Sequence, residues 1–178
     1  MPASPAPPAA GATRAIRPAA RLDAVDIAIL REVQREGRIT KLALAERVGL
    51  SATPCWTRLK RLEDVGLISG YHARVSLKAL GPATSVLVEV TLGSHRQADF
   101  DRFETALKAE PAVVACWAVG GGMDYLLKVV TRDIDSYQRL IDRLLEAEIG
   151  IDRYFTYIVT RTVKDDVELP VESLIDSE

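Results

Sequence analysis

The sequence predicts an α+β chain of two successive units: a three-helix head closed by a short β-ribbon, then a β-α-β-β-α-β domain. Three observations carry this. Residues 22–66 place apolar side chains at helical spacing between cap residues and glycines. From residue 84 the pattern changes to strict alternation. The charge divides near the same place, with +5 over residues 1–74 and −7 over residues 75–178, although the net is only −2. The 178 residues, 48% hydrophobic and 27% charged, have ordinary globular composition, enough for one large domain or two small ones.

The first helix is capped by Asp23 and carries Ile29, Leu30 and Val33 inward before Gly37. Thr40 caps the second, with Leu44, Ala45 and Val48 on one side; Gly49 stops it and Leu50 turns into the core. Ser51 caps the third, where Pro54 still lies in the first turn and costs no hydrogen bond, and Gly66 ends it. Leu67 to Val75 alternates weakly around Gly70 and reads as a β-ribbon. Gly81-Pro82 marks the boundary.

Beyond it, Val86, Val88, Val90 and Leu92 alternate as one strand. Residues 97–108 bring Phe100, Phe103 and Leu107 to one helical face, and Val113 to Val119 is the second strand. Gly120-Gly121-Gly122 turns the chain into a third strand, Asp124 to Val130. Asp133 caps a helix with Tyr137, Leu140, Ile141, Leu144 and Leu145 inward, and Tyr154 to Val163 is the last strand. This order is a split βαβ, ferredoxin-like domain. Two helices cover one face of such a sheet, yet both faces of the strands hold apolar residues. An exposed patch of that size calls for a second copy, so a homodimer is expected.

The resulting division is a Pro/Ala-rich tail over 1–20, read as disordered, a head over 21–75, a linker over 76–83, the second domain over 84–165 and a C-terminal tail over 166–178. No run of roughly eighteen apolar residues provides a membrane span, and the first twenty residues, with eight Ala and five Pro, lack the apolar stretch of a signal peptide. Cys55 and Cys116 have no CxxC partners and His72 and His95 are the only histidines, which excludes a disulfide framework or zinc ribbon and leaves little for a histidine-based active site. No metal or cofactor is expected, and the cytoplasm is the expected compartment.

Wound at 100° per residue, Cys55, Leu59 and Leu62 of the third helix fall within about 60° of one another and face inward. Thr53, Pro54, Thr57, Lys60 and Arg61 fall opposite, with Arg58 on the flank and Ser51 at the start. Hydroxyls near a helix N-terminus followed by cations suit phosphates and base edges. After a short helix and a glycine turn this is helix-turn-helix spacing, with the ribbon as its wing. The plain alternative is a solvated basic face. Trp56 and Trp117 read as packing aromatics, Cys55 as a small core residue, and the Asp142–Glu148 charges as an exposed helix edge.

The run Leu22-Asp23…Asp26…Ile29-Leu30, Leu44-Ala45-Glu46…Val48-Gly49-Leu50-Ser51, Thr53-Pro54-Cys55 and Arg58…Lys60-Arg61-Leu62-Glu63…Gly66…Ile68…Gly70-Tyr71 resembles the DNA-binding head of the Lrp/AsnC feast/famine regulators. Gly120…Asp124-Tyr125-Leu126-Leu127 and the closing Thr156-Tyr157-Ile158-Val159…Val163-Lys164 resemble that family's ACT-like, amino-acid-sensing domain. The resemblance spans residues 21–165 and implies a nucleoid-associated regulator of amino-acid metabolism genes whose partners are double-stranded DNA, an amino-acid effector and further copies of itself. Dimers would assemble into tetramers or octamers. The effector would bind between dimers near Gly120, Gly121, Gly122, Asp124 and Tyr125, with Thr156 adding a hydroxyl. A glycine turn leaves backbone N–H groups open to a carboxylate, and Asp124 offers an acceptor to an α-ammonium. The turn equally reads as a tight hairpin in which Asp124 bonds its own backbone. Two other readings remain at this point: a metabolite-binding module that never meets DNA, and an enzyme resembling haem-precursor decarboxylases of the same plan.

Overall fold

A computed structural model describes residues 22–165 and 168–175. Residues 1–20, read above as a disordered tail, lie outside the described residues. The chain divides into two units: residues 22–74 with 168–175, and residues 75–165.

In the first unit, α1 (Ala24–Arg35), α2 (Lys41–Arg47) and α3 (Ala52–Asp64) enclose a core of Ile29, Leu30, Val33, Leu44, Ala45, Cys55, Leu59 and Leu62. The caps explain where each helix begins. The Asp23 carboxylate accepts from the backbone N–H groups of Val25 and Asp26, while Asp26 reaches back to the Asp23 N–H, a reciprocal capping box. Thr40 accepts from Ala43 N–H at 3.2 Å. Ser51 has cap geometry but makes no side-chain hydrogen bond there. Gly49 sits at φ 69°, a left-handed conformation that lets the chain leave α2 and enter α3 across the four residues 48–51.

One expectation fails in this unit. Residues 67–75 form no strand among the described residues: the Leu67 and Ile68 N–H groups fold back to Leu62 C=O at the end of α3, at 3.0 and 3.2 Å, and residues 69–75 join no ladder, so the expected ribbon has no pair of strands. The described part of the C-terminal segment docks on this unit. Leu169 exchanges two hydrogen bonds with Gln34, Arg31 and Arg35 pair with Glu172 and Glu168, and α7 (Val171–Leu174) packs Val171 on the helical core. Between this segment, α1 and residues 67–74 lies an apolar pocket of about 760 Å³, lined by Leu30, Val33, Tyr71 and Leu174 among others.

The second unit opens on α4 (Leu77–Leu80), a single turn in what reads as linker, and continues as β1 (Thr84–Leu92), α5 (Gln97–Lys108), β2 (Val113–Ala118), β3 (Tyr125–Thr131), α6 (Ile134–Glu146) and β4 (Ile151–Ile158). The sheet is antiparallel in the order β2-β3-β1-β4. Val86, Val88, Val90 and Leu92 meet Phe103 and Leu107 of α5 and Tyr137, Leu140, Ile141 and Leu144 of α6 in one buried core. Leu145, expected inward, is exposed. The last strand runs three residues earlier than expected at its start and stops at Ile158, because Glu148 (φ 47°) and Gly150 (φ 93°) turn the chain sharply enough to begin pairing at Ile151. The opposite face keeps Trp117, Phe155 and Tyr157 about half exposed.

The cap aspartates give stability a pH signature. The Asp26 N–H and then the Arg58 guanidinium hold the Asp23 carboxyl below the ordinary carboxylate range, and Ser136 does the same for Asp133 at the start of α6. Carboxyls depressed on folding stabilise the fold above their unfolded pKa of about 3.9 and lose that contribution as pH falls through the lower folded value. Thermal unfolding is therefore expected to show a plateau above about pH 5 and a decline below about pH 4; Asp133→Asn is expected to make the decline shallower.

Candidate nucleic-acid interface and effector turn

Helix α3 is the element on which the first site is built. Cys55, Leu59 and Leu62 anchor its inner side, at 2%, 7% and 0% exposure, so its opposite side is fixed outward. Ser51, Thr53, Pro54, Trp56, Thr57 and Lys60 are exposed there. The Thr57 hydroxyl donates to Thr53 C=O at 3.1 Å, holding that side chain along the helix. Trp56, read from sequence as a packing residue, is 38% exposed, and Lys41 at the start of α2 places its ammonium 3.2 Å from the ring centroid. A cation over an indole is an attractive contact, and here it ties the starts of α2 and α3 together at the surface. The periodicity of α3 could have revealed Trp56, since it lies outside the Cys55–Leu59–Leu62 stripe; Lys41 gave no sequence signal of its own.

Arg58 and Arg61 are placed differently from the expectation. Their guanidinium groups turn back to α1. Arg58 Nη1 donates to Asp23 Oδ2 at 2.6 Å and to Asp26 Oδ1 at 2.9 Å, and Arg61 Nη2 donates to Asp26 Oδ2. Asp26 is 1% exposed, the one buried charge of the described core. A buried carboxylate requires such partners, since an unpaired one is strongly destabilising. The two acids in turn raise the already high pKa of Arg58. Arg47 is likewise held, by Glu36 at 2.7 Å and Glu32 at 3.4 Å. Among the described residues of this unit, Arg38, Lys41 and Lys60 enter no ion pair. Arg47, Arg58 and Arg61 are thus each paired with a carboxylate of this same unit.

The second candidate site is the β2–β3 turn. Gly120, Gly121 and Gly122 are exposed, and only Gly121, at φ 138°, needs a glycine's conformational freedom. Asp124 closes the turn. Its backbone N–H donates to Val90 C=O and its C=O accepts from Val119 N–H, both at 2.9 Å. Its carboxylate accepts from Leu92 N–H at 2.7 Å and lies 2.9 Å from His95 Nε2. His95 is thus tied to the turn and not simply a loop residue. One bond on each oxygen still leaves carboxylate lone pairs for a further donor.

Tyr125 and Thr156 do not join this cluster. The Tyr125 ring is 3% exposed, 4.6 Å from Phe103, and its hydroxyl donates to Glu104 at 3.1 Å; burial and Glu104 push its pKa up to about 12. Thr156 lies across β1, opposite Val88, with its hydroxyl 2.5 Å from that of Tyr137. Strand register moved both away: Tyr125 points into the helix-covered face, and Thr156 sits on the far edge strand. Of the expected effector residues, the turn brings together the three glycines and Asp124, with His95 held against Asp124.

Comparison with known proteins bears on both sites. Residues 22–69 match the winged helix-turn-helix DNA-binding model, and residues 85–169 match the Lrp/AsnC ligand binding domain model. The transcriptional regulatory protein DoeX of Halomonas elongata is 51% identical over 144 residues, covering 81% of this chain and 91% of the relative. The leucine-responsive regulatory protein of Escherichia coli is 38% identical over 157 residues, covering 88% and 96%. A transcriptional regulator of Neisseria meningitidis, solved as its L-methionine complex, superposes with a TM-score of 0.82 at 30% identity, covering 87% of this chain and all of that one.

Proposed function

The chain belongs to the Lrp/AsnC family of DNA-binding transcriptional regulators, and from that premise we propose that its α3 face reads operator DNA under the control of an amino acid bound at the Gly120–Asp124 turn. The observation that carries the reading is the solvent-facing row Ser51, Thr53, Pro54, Thr57 and Lys60, held outward by the buried Cys55, Leu59 and Leu62. Hydroxyls at the helix start suit base edges and phosphate oxygens; Lys60 suits a phosphate. The relatives give no support to a DNA-independent metabolite module or to a decarboxylase.

The amino-acid effector is supported by the methionine bound to the Neisseria relative and by the chemistry of the turn. Its three open glycines suit an α-carboxylate, and Asp124 suits an α-ammonium. Because Tyr125 and Thr156 are drawn elsewhere, the rest of the pocket would come from another copy. The apolar open face of the sheet, with Trp117, Phe155 and Tyr157, is the surface on which that copy would dock first, and dimers would then join into tetramers or octamers on chromosomal DNA in the cytoplasm.

Two expected results test this. Lys60→Ala weakens binding to all duplexes alike and lowers the slope of log K against log salt by about 0.9, the value of one phosphate; the check is a fluorescence titration across salt concentrations. Asp124→Asn keeps an acceptor for Leu92 N–H but removes the charge. It is expected to leave basal DNA affinity unchanged and to abolish the response to the amino acid. A variant that still responds in full excludes Asp124 from the pocket.

A further inference from the structure

We propose that Asp26, with Asp23, withholds Arg58 and Arg61 from the DNA phosphates, making Asp26 a positioning and specificity-determining residue of the recognition helix. The inference rests on the DNA-reading role of α3 and adds what governs it.

Asp26 lies on α1, 32 and 35 residues from the two arginines it binds. It is 1% exposed, whereas the Arg58 and Arg61 side chains are 33% and 39% exposed. The carboxylate is thus fixed in the core and the arginines reach to it from the surface edge of α3. Both of its oxygens are used: Oδ1 takes Arg58, and Oδ2 takes Arg61 and the backbone N–H of Asp23. Asp23 adds a second anchor for Arg58 at 2.6 Å.

Two consequences follow. The first is geometric. Arg58 and Arg61, three residues apart on α3, are pinned to one point on α1, which fixes the rotation of α3 about its axis more tightly than apolar packing alone. The row Thr53, Thr57, Lys60 is then presented at a set angle. The second is electrostatic. Phosphates would have to compete with a buried carboxylate whose ion pairs are with these two arginines, so the two guanidinium groups stay inside. Sequence-independent attraction, which rises with every phosphate neutralised, is held down, while contacts that read bases are left intact. The ratio of operator to random DNA affinity rises as a result.

The test measures salt dependence on two duplexes of equal length, the protein's own upstream region and a random sequence. Arg58→Gln and Arg61→Gln are each expected to leave the random-duplex slope as in the unmodified chain, while Lys60→Ala lowers it. Asp23→Asn retains a good N-cap but releases one anchor of Arg58. It is expected to steepen the random-duplex slope by up to about 0.9 and to narrow the ratio of the two affinities. Asp26→Asn is expected to steepen it further, by up to about 1.8. If Asp26→Asn does not fold, Asp23→Asn and the glutamine variants decide alone. A fall of about 0.9 in slope for either glutamine variant with unchanged thermal stability overturns the proposal, because that arginine then holds a phosphate. An unchanged slope in a folded Asp26→Asn variant also overturns it. Failure of the unmodified protein to bind either duplex would instead remove the DNA-reading role on which the proposal stands.

Discussion

Phe155→Asp is expected to leave both units folded and to abolish self-association. Phe155 stands opposite Glu89 on the face of the sheet that no helix covers, half exposed two residues from Tyr157, with Trp117 on the same face of the other edge strand and the Arg153 guanidinium 5.6 Å from its ring. In a two-fold interface the same patch is used by both copies, so one substitution places two carboxylates against apolar partners. Burying an unpaired charge at that position costs about 3–5 kcal/mol, a weakening on the order of 10² to 10³ or more in Kd. Analytical ultracentrifugation reads the outcome as a shift to monomer at micromolar concentration. Thermal unfolding of the variant is expected to lose only what the proposed dimer contributes. Because the proposed effector pocket is completed by another copy, the same variant is expected to lose its amino-acid response.

The second large effect lies in the core. Phe103 is 0% exposed and its ring stands 4.6 Å from Tyr125, in the cluster that joins α5 and α6 to the sheet. Phe103→Ala leaves a cavity between helix and sheet and is expected to cost about 3–5 kcal/mol. For a unit of this size that corresponds to roughly 15 °C or more in Tm. Calorimetry of the full chain is expected to show the loss in the transition of residues 75–165. DNA contacts made by α3 should survive at temperatures where the variant remains folded.

The elements most legible in the sequence were those set by local chemistry. Asp23, Thr40 and Asp133 cap because a carboxylate or hydroxyl at a helix start satisfies nearby N–H groups, a relation confined to a few residues. The alternation of Val86 to Leu92 needed only the period of the strand to fix its buried face. What escaped depended on distant partners. Helical winding puts the Cα of Arg61 outward, but a long side chain reaches where the charge is, and Asp26 is 35 residues away. The resemblance implies a Thr156 hydroxyl at the glycine turn, whereas strand register sets it across β1 against Tyr137. Alternation over 67–75 suggests a β-ribbon but cannot tell whether a second strand exists to pair with it. The docking of Leu169 and Val171 on α1 had a faint signal, apolar residues returning among acidic ones near the end, and that signal does not say against what they pack.

The central claim, an amino-acid-responsive regulator that reads DNA through α3, is met most directly by a gel-shift titration. The probe is the protein's own upstream region, at 50 and 200 mM salt, with each of the twenty amino acids added in turn. The account predicts a shifted band that weakens steeply between the two salt concentrations, as phosphate contacts require, and that changes in affinity or assembly with one amino acid or a small chemically related group. No shift at either salt concentration, with or without any amino acid, would contradict it.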